Sequence, residues 1–302
     1  MRVFGPEKVR SAVTPSLARE QMRLAAIAAW HGALTAPARL SSPLGARTLR
    51  FSTGAVRGDW FGYRSYAAPG ASDHDEIVVV CDDETEALRA MAVSGGFGPL
   101  RSGAVGAVAL DALAPNHPRG ITLIGAGRQA WHQLWALPDR FRDVPIRVRA
   151  RNERRTEEFA IAASSILDLE VLAAPSVEEA VQGSDVVILA TSSNEPVVPN
   201  ELLRDVRYIA TVGPKVLGSA EIAGDLFCKT DCLVTDSTEQ LQRYDPAHVV
   251  VASGLEDSVV HLGALLCHDA VPQGDRIVMM NVGLSGTEAW LLNELWRLEG
   301  GG

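Results

Sequence analysis

Residues 121–134, ITLIGAGRQAWHQL, constrain the fold of this chain more than any other stretch. Ile121 to Ile124 form a short apolar run that suits a buried parallel strand. Gly125-Ala126-Gly127-Arg128-Gln129-Ala130 follows with the spacing G-x-G-x-x-A. Gly125 lets the chain turn tightly out of the strand, Gly127 lets the backbone approach a pyrophosphate, and Ala130 is small enough for a helix to sit against the sheet. Trp131, Leu134 and Trp135 then recur at helical spacing, and a second candidate strand follows. Glycines at this spacing alone are ordinary turn residues. Between a strand and a helix, with N–H groups of the helix start facing outward, they predict a dinucleotide site.

The rest of the composition is compatible with such an enzyme-like globular chain. It has 302 residues, 47% hydrophobic and 22% charged, enough for about two domains. The formal net charge is −9 and no basic block occurs, which argues against a nucleic-acid partner. The first residues, MRVFGPEKVRSAV, lack the apolar core of a signal peptide, and no run is long and apolar enough to span a bilayer. A cytoplasmic setting is therefore expected. Cys81, Cys228, Cys232 and Cys267 are scattered, without the paired spacing of a metal site, and are expected to be thiols.

In chain order, residues 6–32 predict a helical region and a turn-rich segment carries Arg39. Candidate strands follow at 48–52, 60–67 and 76–81, and residues 83–113 read as mostly helical. After the linker at 117–120, strands alternate with helices. Strands are expected at 146–150, 170–173, 185–191, 208–212 and 233–235; helices at 156–167 and 176–182, the latter capped by Ser176. A strand at 276–281 and an amphipathic helix at 287–298 close the chain. The expected fold is α/β: a doubly wound Rossmann-type domain over 119–275, and an α+β domain over 1–118 completed by 276–302.

Several segments together resemble the ornithine cyclodeaminase/mu-crystallin superfamily over nearly the whole chain. They are Pro37-Ala38-Arg39, Phe61-Gly62-Tyr63-Arg64, Leu100-Arg101-Ser102-Gly103-Ala104, the turn from Gly125 to Ala130, Ser184-Asp185-Val186-Val187 with Ala190-Thr191, and Val212-Gly213 followed by Glu221-Ile222. The resemblance implies an NAD(P)-binding domain, a substrate domain that forms a homodimer, and hydride chemistry at the α-carbon of a small amino or imino acid. It also implies that Arg39 and Arg101 hold the substrate carboxylate, a task for which the planar guanidinium fork is suited.

The choice of cofactor can be argued from charge. A site for NAD usually carries an acid at the end of the second strand, for the ribose hydroxyls. Here that position reads Arg149-Ala150-Arg151-Asn152-Glu153-Arg154-Arg155. Arg151, Asn152 and Arg154 stand where a 2′-phosphate would sit, so NADP(H) is expected over NAD(H). Thr191 and Ser192, closing the DVVILAT strand, and Val212, after the next one, are expected to touch the cofactor with Gly125, Ala126, Gly127, Arg128, Gln129 and Ala130.

Two positions depart from the family. Arg64 replaces the family lysine, and Lys215 follows the Val-Gly turn where cyclodeaminases carry aspartate. Arginine stays protonated and donates hydrogen bonds but shuttles protons poorly. Lys215 is readable as a proton donor to nitrogen, a solvated loop lysine or a cofactor-phosphate contact. Glu288 suggests a pocket-edge or capping role. The expected function is reduction by NADP(H) of a C=N bond beside a carboxylate, in a cyclic imino acid or similar ketimine, with Arg64 or Lys215 serving the nitrogen. An amino-acid cyclodeaminase or dehydrogenase is the alternative enzyme, and a non-catalytic cofactor- and ligand-binding protein the alternative of another class.

Overall fold

The computed structural model describes residues 1–68 and 76–301. The chain divides into two compact units, 1–101 with 283–302, and 102–282. The division falls inside the helix Phe97–Leu113, not at the linker near 118. Its return point is also later than expected, because Ile277–Met280 pairs within the parallel sheet of the second unit.

The first unit is a seven-stranded sheet in the order Arg2–Phe4, Leu88–Val93, Glu76–Asp82, Trp60–Ala68, Arg47–Val56 and Leu34–Thr35, with Leu40–Leu44 also paired to Arg47–Val56. All its pairings are antiparallel except that of Arg2–Phe4 with Leu88–Val93. Leu88–Val93 lies within the 83–113 stretch expected to be mostly helical. Its Leu, Arg, Ala and Met favour a helix locally, and pairing on both sides overrides that preference.

Strand alternation sends Trp60, Gly62 and Arg64 to one face of this sheet and Phe61 and Tyr63 to the other. The inner face receives the closing helix Thr287–Leu298, which begins where the pattern predicts. Two glycines let it come close. A Cβ at Gly54 would lie 2.6 Å from Gly286 Cα, and one at Gly62 would lie 2.9 Å from Ala289 Cβ. Trp60 and Trp290 then meet edge to face at 6.2 Å.

The second unit has an eight-stranded, all-parallel sheet. Its order is Val171–Ala173, Ile146–Arg149, Ile121–Ile124, Val186–Leu189, Tyr208–Thr211, Ile277–Met280, Cys232–Thr235 and Val259–His261. Chain order reverses between Ile121–Ile124 and Val186–Leu189, the switch point beside which such sheets bind ligands at their carboxyl edge. Ser176 caps Val177–Val181 by accepting from Glu179 N. The small residues after Arg101 also find their reason here. A Cβ at Gly103 would strike His132 O at 2.2 Å, and one at Gly106 would strike Gln133 Oε1 at 2.1 Å, so these glycines let the Phe97–Leu113 helix lie against Arg128–Trp135.

Candidate active site

In the second unit, each glycine of the turn has a distinct task. Gly125 has φ +124°, and a Cβ there would sit 2.3 Å from Ala190 O, so the crossing to the neighbouring strand end admits only glycine. Gly127 is different: a Cβ there meets nothing within 4 Å. Packing within the protein therefore does not demand glycine at 127, whereas close approach of another molecule does. Gly127 is the N-cap of Arg128–Trp135 and offers no side chain to the helix's first N–H groups. Gln129 Oε1 is buried without a hydrogen-bond partner, Ala130 is buried, Ala126 is half-buried and Arg128 exposed. This donor set and open turn fit a pyrophosphate-bearing dinucleotide.

At the end of the second parallel strand, Arg151 and Arg154 are exposed, and Arg154 also pairs with Glu158 at 3.6 Å. Asn152 caps the helix Glu153–Leu167 through Oδ1, which accepts from Arg155 N at 2.9 Å. No acidic side chain stands between Ile146 and Asn152.

A residue that the sequence did not single out organises this edge. The Glu221 side chain is fully buried and accepts five hydrogen bonds. They come from Thr191 N and Oγ1, Thr211 Oγ1, Val212 N and Gly213 N, at 2.6–3.1 Å. A Cβ on Gly213 would strike Glu221 Oε2 at 2.3 Å. The carboxylate thus staples together the carboxyl ends of Val186–Leu189 and Tyr208–Thr211, and it fixes the half-buried Thr191 and Val212. Only its place shortly after Val212-Gly213 hinted at this. Ser192, beside Thr191, is exposed.

Lys215 is 3% exposed, so it is not a solvated loop lysine. Its ammonium donates to Gly213 O, and to Asn281 O at 3.1 Å. The Asn281 amide lies buried with neither Oδ1 nor Nδ2 hydrogen-bonded. Burial, aided by the Lys215 charge, pushes His248 down to about 3, so its ring is neutral at ordinary pH.

In the first unit, the expected arginines converge. Arg64 Nε donates to Glu76 Oε2 at 2.6 Å, its Nη1 to Glu288 Oε1 at 3.2 Å, and Arg101 Nε to the same Glu288 oxygen at 3.0 Å. Ser52 Oγ donates to Glu288 Oε2 at 3.3 Å, and Phe97 N to Glu76 Oε1 at 2.6 Å. Gly98 makes room, since a Cβ there would lie 2.4 Å from Arg64 Nη2. Arg39 reaches the same place: a Cβ on Gly283 would be 2.9 Å from Arg39 Nη1 and 3.0 Å from Arg101 Nη2.

Burial alone would raise the Glu288 carboxyl, but the guanidiniums of Arg101 and Arg64 overcome this and hold it down to about 2. Burial would likewise lower Arg64, yet Glu288 and Glu76 leave its pKa raised, so it keeps its proton and acts as a hydrogen-bond donor. Glu76, read from the sequence only as the start of a strand, is therefore part of the cluster.

The ornithine cyclodeaminase/mu-crystallin family pattern matches residues 62–273, and the chain belongs to that family. The mouse protein named ketimine reductase mu-crystallin is 27% identical over 177 residues, 59% of this chain and 55% of its own length. The iminosuccinate reductase of Paracoccus denitrificans is 28% identical over 210 residues, 68% of this chain and 64% of that protein. These matches span less than two thirds of either relative. Among solved structures, the Delta(1)-pyrroline-2-carboxylate reductase of Thermococcus litoralis, in complex with NADH and L-proline, shares the fold at TM-score 0.87. That match has 22% identity and covers 100% of this chain and 98% of the other.

Proposed function

We propose that this chain reduces a C=N bond next to a carboxylate, using a nicotinamide dinucleotide, in a cyclic imino acid or related ketimine. The observation that carries this reading is the convergence of Arg39 and Arg101 beside Gly283, in a chain that also carries the open Gly125–Ala130 turn. Two guanidinium forks grip a carboxylate in a plane and so fix the direction in which the adjacent carbon faces. The bound cofactor supplies the hydride. The relatives named for reduction of ketimines and iminosuccinate support the same reaction class.

On the protein side, the turn from Gly125 to Ala130 holds the pyrophosphate, and Glu221 keeps Thr191 and Val212 in register beside it, with Ser192 at the rim. Arg151 and Arg154, with the Asn152 amide, favour NADP(H) over NAD(H), because they offer cations and no acid where the ribose 2′ position lies. Arg64 orients the substrate by hydrogen bonding, and Lys215, anchored on two carbonyls, serves the nitrogen side. An imine is partly protonated near neutral pH, so less is asked of these residues than ring-forming deamination asks of a base.

The partners in this reading are the small substrate and a second copy of the chain. Phe61, Tyr63, Ile77, Val93 and Val3 lie exposed on the first unit's sheet and offer an apolar face for a homodimer. All four cysteines are free, as a reducing cytoplasm would keep them. Among the described residues no helix is long and apolar enough to cross a membrane. The test is oxidation of NADPH and NADH by the purified protein with cyclic imino acids. Steady turnover, with NADPH preferred, is the expected outcome. Tight binding of cofactor and imine without turnover would instead establish a binding protein, and proline with ammonia released from ornithine would establish a cyclodeaminase.

A further inference from the structure

Reduction of a C=N bond needs a proton as well as a hydride, because the nitrogen ends with a new N–H bond. Arg64 stands in the position of the family lysine and keeps its proton. Lys215 gives N–H bonds to Gly213 O and Asn281 O, and such bonds favour the charged ammonium. A better proton source lies two residues beyond Arg64.

Tyr66 shares the strand Trp60–Ala68 with Arg64, and side chains two apart on a strand share a face. In the sheet register Tyr66 lies between Arg50 and Glu76, while Ser52, Arg64 and Val78 form the neighbouring row. Ser52 and Arg64 both donate to Glu288, at the start of the closing helix. The Tyr66 row lies one step beyond, and Tyr66 is half-buried where Arg64 is buried. The Arg64 guanidinium stacks 4.0 Å over the phenol ring. Arg101 joins Arg64 on Glu288 Oε1, and Arg101 and Arg39 meet beside Gly283. A chain of contacts within the first unit thus runs from the phenol to the two arginines assigned to the substrate carboxylate.

Burial would raise the Tyr66 hydroxyl, but Arg39, Arg64, Arg50 and Arg101 together bring its pKa below the usual tyrosine value. Among the described residues Glu76 and Glu288 are the acids of this cluster, and both are paired with arginine. Arg50 Nε, on the residue directly opposite Tyr66, is buried without a hydrogen-bond partner.

We propose that Tyr66 is the catalytic acid of the reduction, giving its hydroxyl proton to the imine nitrogen, with Arg50 as a positioning residue that stabilises the phenolate. This rests on the reductase reading and adds a residue to it. As hydride bonds to the carbon, the C=N π pair moves to nitrogen and takes the proton while the Tyr66 O–H bond breaks. The phenolate then recovers a proton from water, so each turnover consumes one hydride and one solvent proton.

Tyr66→Phe keeps the ring under Arg64 and removes the proton. With Delta(1)-pyrroline-2-carboxylate and NADPH, its kcat is expected to fall about 100-fold, while KM and NADPH affinity stay within about twofold. The ratio of wild type to variant should grow with rising pH, as less imine arrives protonated, and shrink again once the phenol ionises. Replacing Tyr66 by 3-fluorotyrosine, a more acidic phenol, should retain turnover and move the alkaline limb of the profile to lower pH. Arg50→Met should move that limb to higher pH. Without substrate or cofactor, phenolate absorbance should show one early titration among the four tyrosines, missing from Tyr66→Phe.

Unchanged kcat in Tyr66→Phe, or a loss equal at every pH, would overturn the proposal and leave the reductase reading standing. An early phenolate that persists in Tyr66→Phe would do the same. So would an alkaline limb that stays in place in the fluorinated protein, and that measurement decides the matter if thermal melting shows Tyr66→Phe unfolded. If the wild-type protein oxidises NADPH with no cyclic imine, the reductase reading itself fails and this proposal with it.

Discussion

The two units each bury a glutamate completely, and they stabilise it in opposite ways. Glu288 of the first unit lies between two guanidiniums, with the hydroxyls of Ser52 and Thr287 in support. Glu221 of the second unit is held by five neutral donors, three backbone N–H groups and two threonine hydroxyls, with no cation in contact among the described residues. The difference separates a binding device from a building device. Neutral donors in fixed backbone positions make a rigid clamp on two strand ends and leave no charge over for a ligand. Guanidiniums sharing a carboxylate still have donors in reserve, so the cluster can receive a second anion without being rebuilt.

The comparison is most exposed to test at Glu221. Glu221→Ala orphans three part-buried backbone N–H groups and two threonine hydroxyls at once, and about 4 kcal/mol of stability should be lost, measured by urea denaturation. Cofactor affinity should fall with it, because Thr191 and Val212 lose their anchor. A loss below about 1 kcal/mol would mean that the clamp is incidental. Glu288→Gln should cost somewhat less, about 3 kcal/mol, since Arg64 keeps Glu76.

Its pH dependence gives the sharper readout. The Glu288 pKa is lowered from 4.5 to about 2, so its ionic stabilisation is complete above pH 4.5 and disappears as the pH falls toward 2. The stability curves of wild type and Glu288→Gln should therefore converge through that window. A constant gap would show that packing, not charge, is what Glu288 contributes.

Smaller effects are expected where the two units meet their ligands' anionic groups. Arg101→Lys keeps the charge but loses the fork, so kcat/KM for the imine should drop about 30-fold while NADPH affinity stays within about twofold. Joint loss of both would make Arg101 structural. Arg151→Ala should weaken NADPH about tenfold relative to NADH, seen in fluorescence titrations. Equal weakening of the two cofactors would remove Arg151 from the 2′-phosphate site.

How much of this was legible in the sequence follows from how local each signal is. The Gly125–Ala130 turn, the Ser176 cap and the start of the closing helix at Thr287 depend on neighbours a few residues away, and all are found where the pattern put them. Leu88–Val93 reads as helix from its own residues, because its strand character comes from Arg2–Phe4 and Glu76–Asp82. Arg39 and Arg101 were legible through the flanking resemblance. Glu288, the carboxylate partner of Arg101 and Arg64, was legible only as a residue at a pocket edge, since those two arginines lie 187 and 224 positions away. Glu221 stood in one of the resembling segments, but its role was not legible, as its donors come from Thr191 and from residues 211–213.

The discontinuity of the first unit has a consequence for how the protein is made. Its sheet is composed entirely of residues from the first hundred, yet the helix that covers it, with Glu288, belongs to the last twenty. During synthesis the arginine cluster must wait, charged and uncovered, while all of 102–282 emerges from the ribosome and folds. Residues 102–282, contiguous in the chain, can close first; the N-terminal sheet is the last to be sealed. A chain truncated before residue 283 would keep every strand of the second unit's sheet and lose the helix that covers the first unit's sheet, leaving that sheet's apolar inner face open to chaperones and proteases.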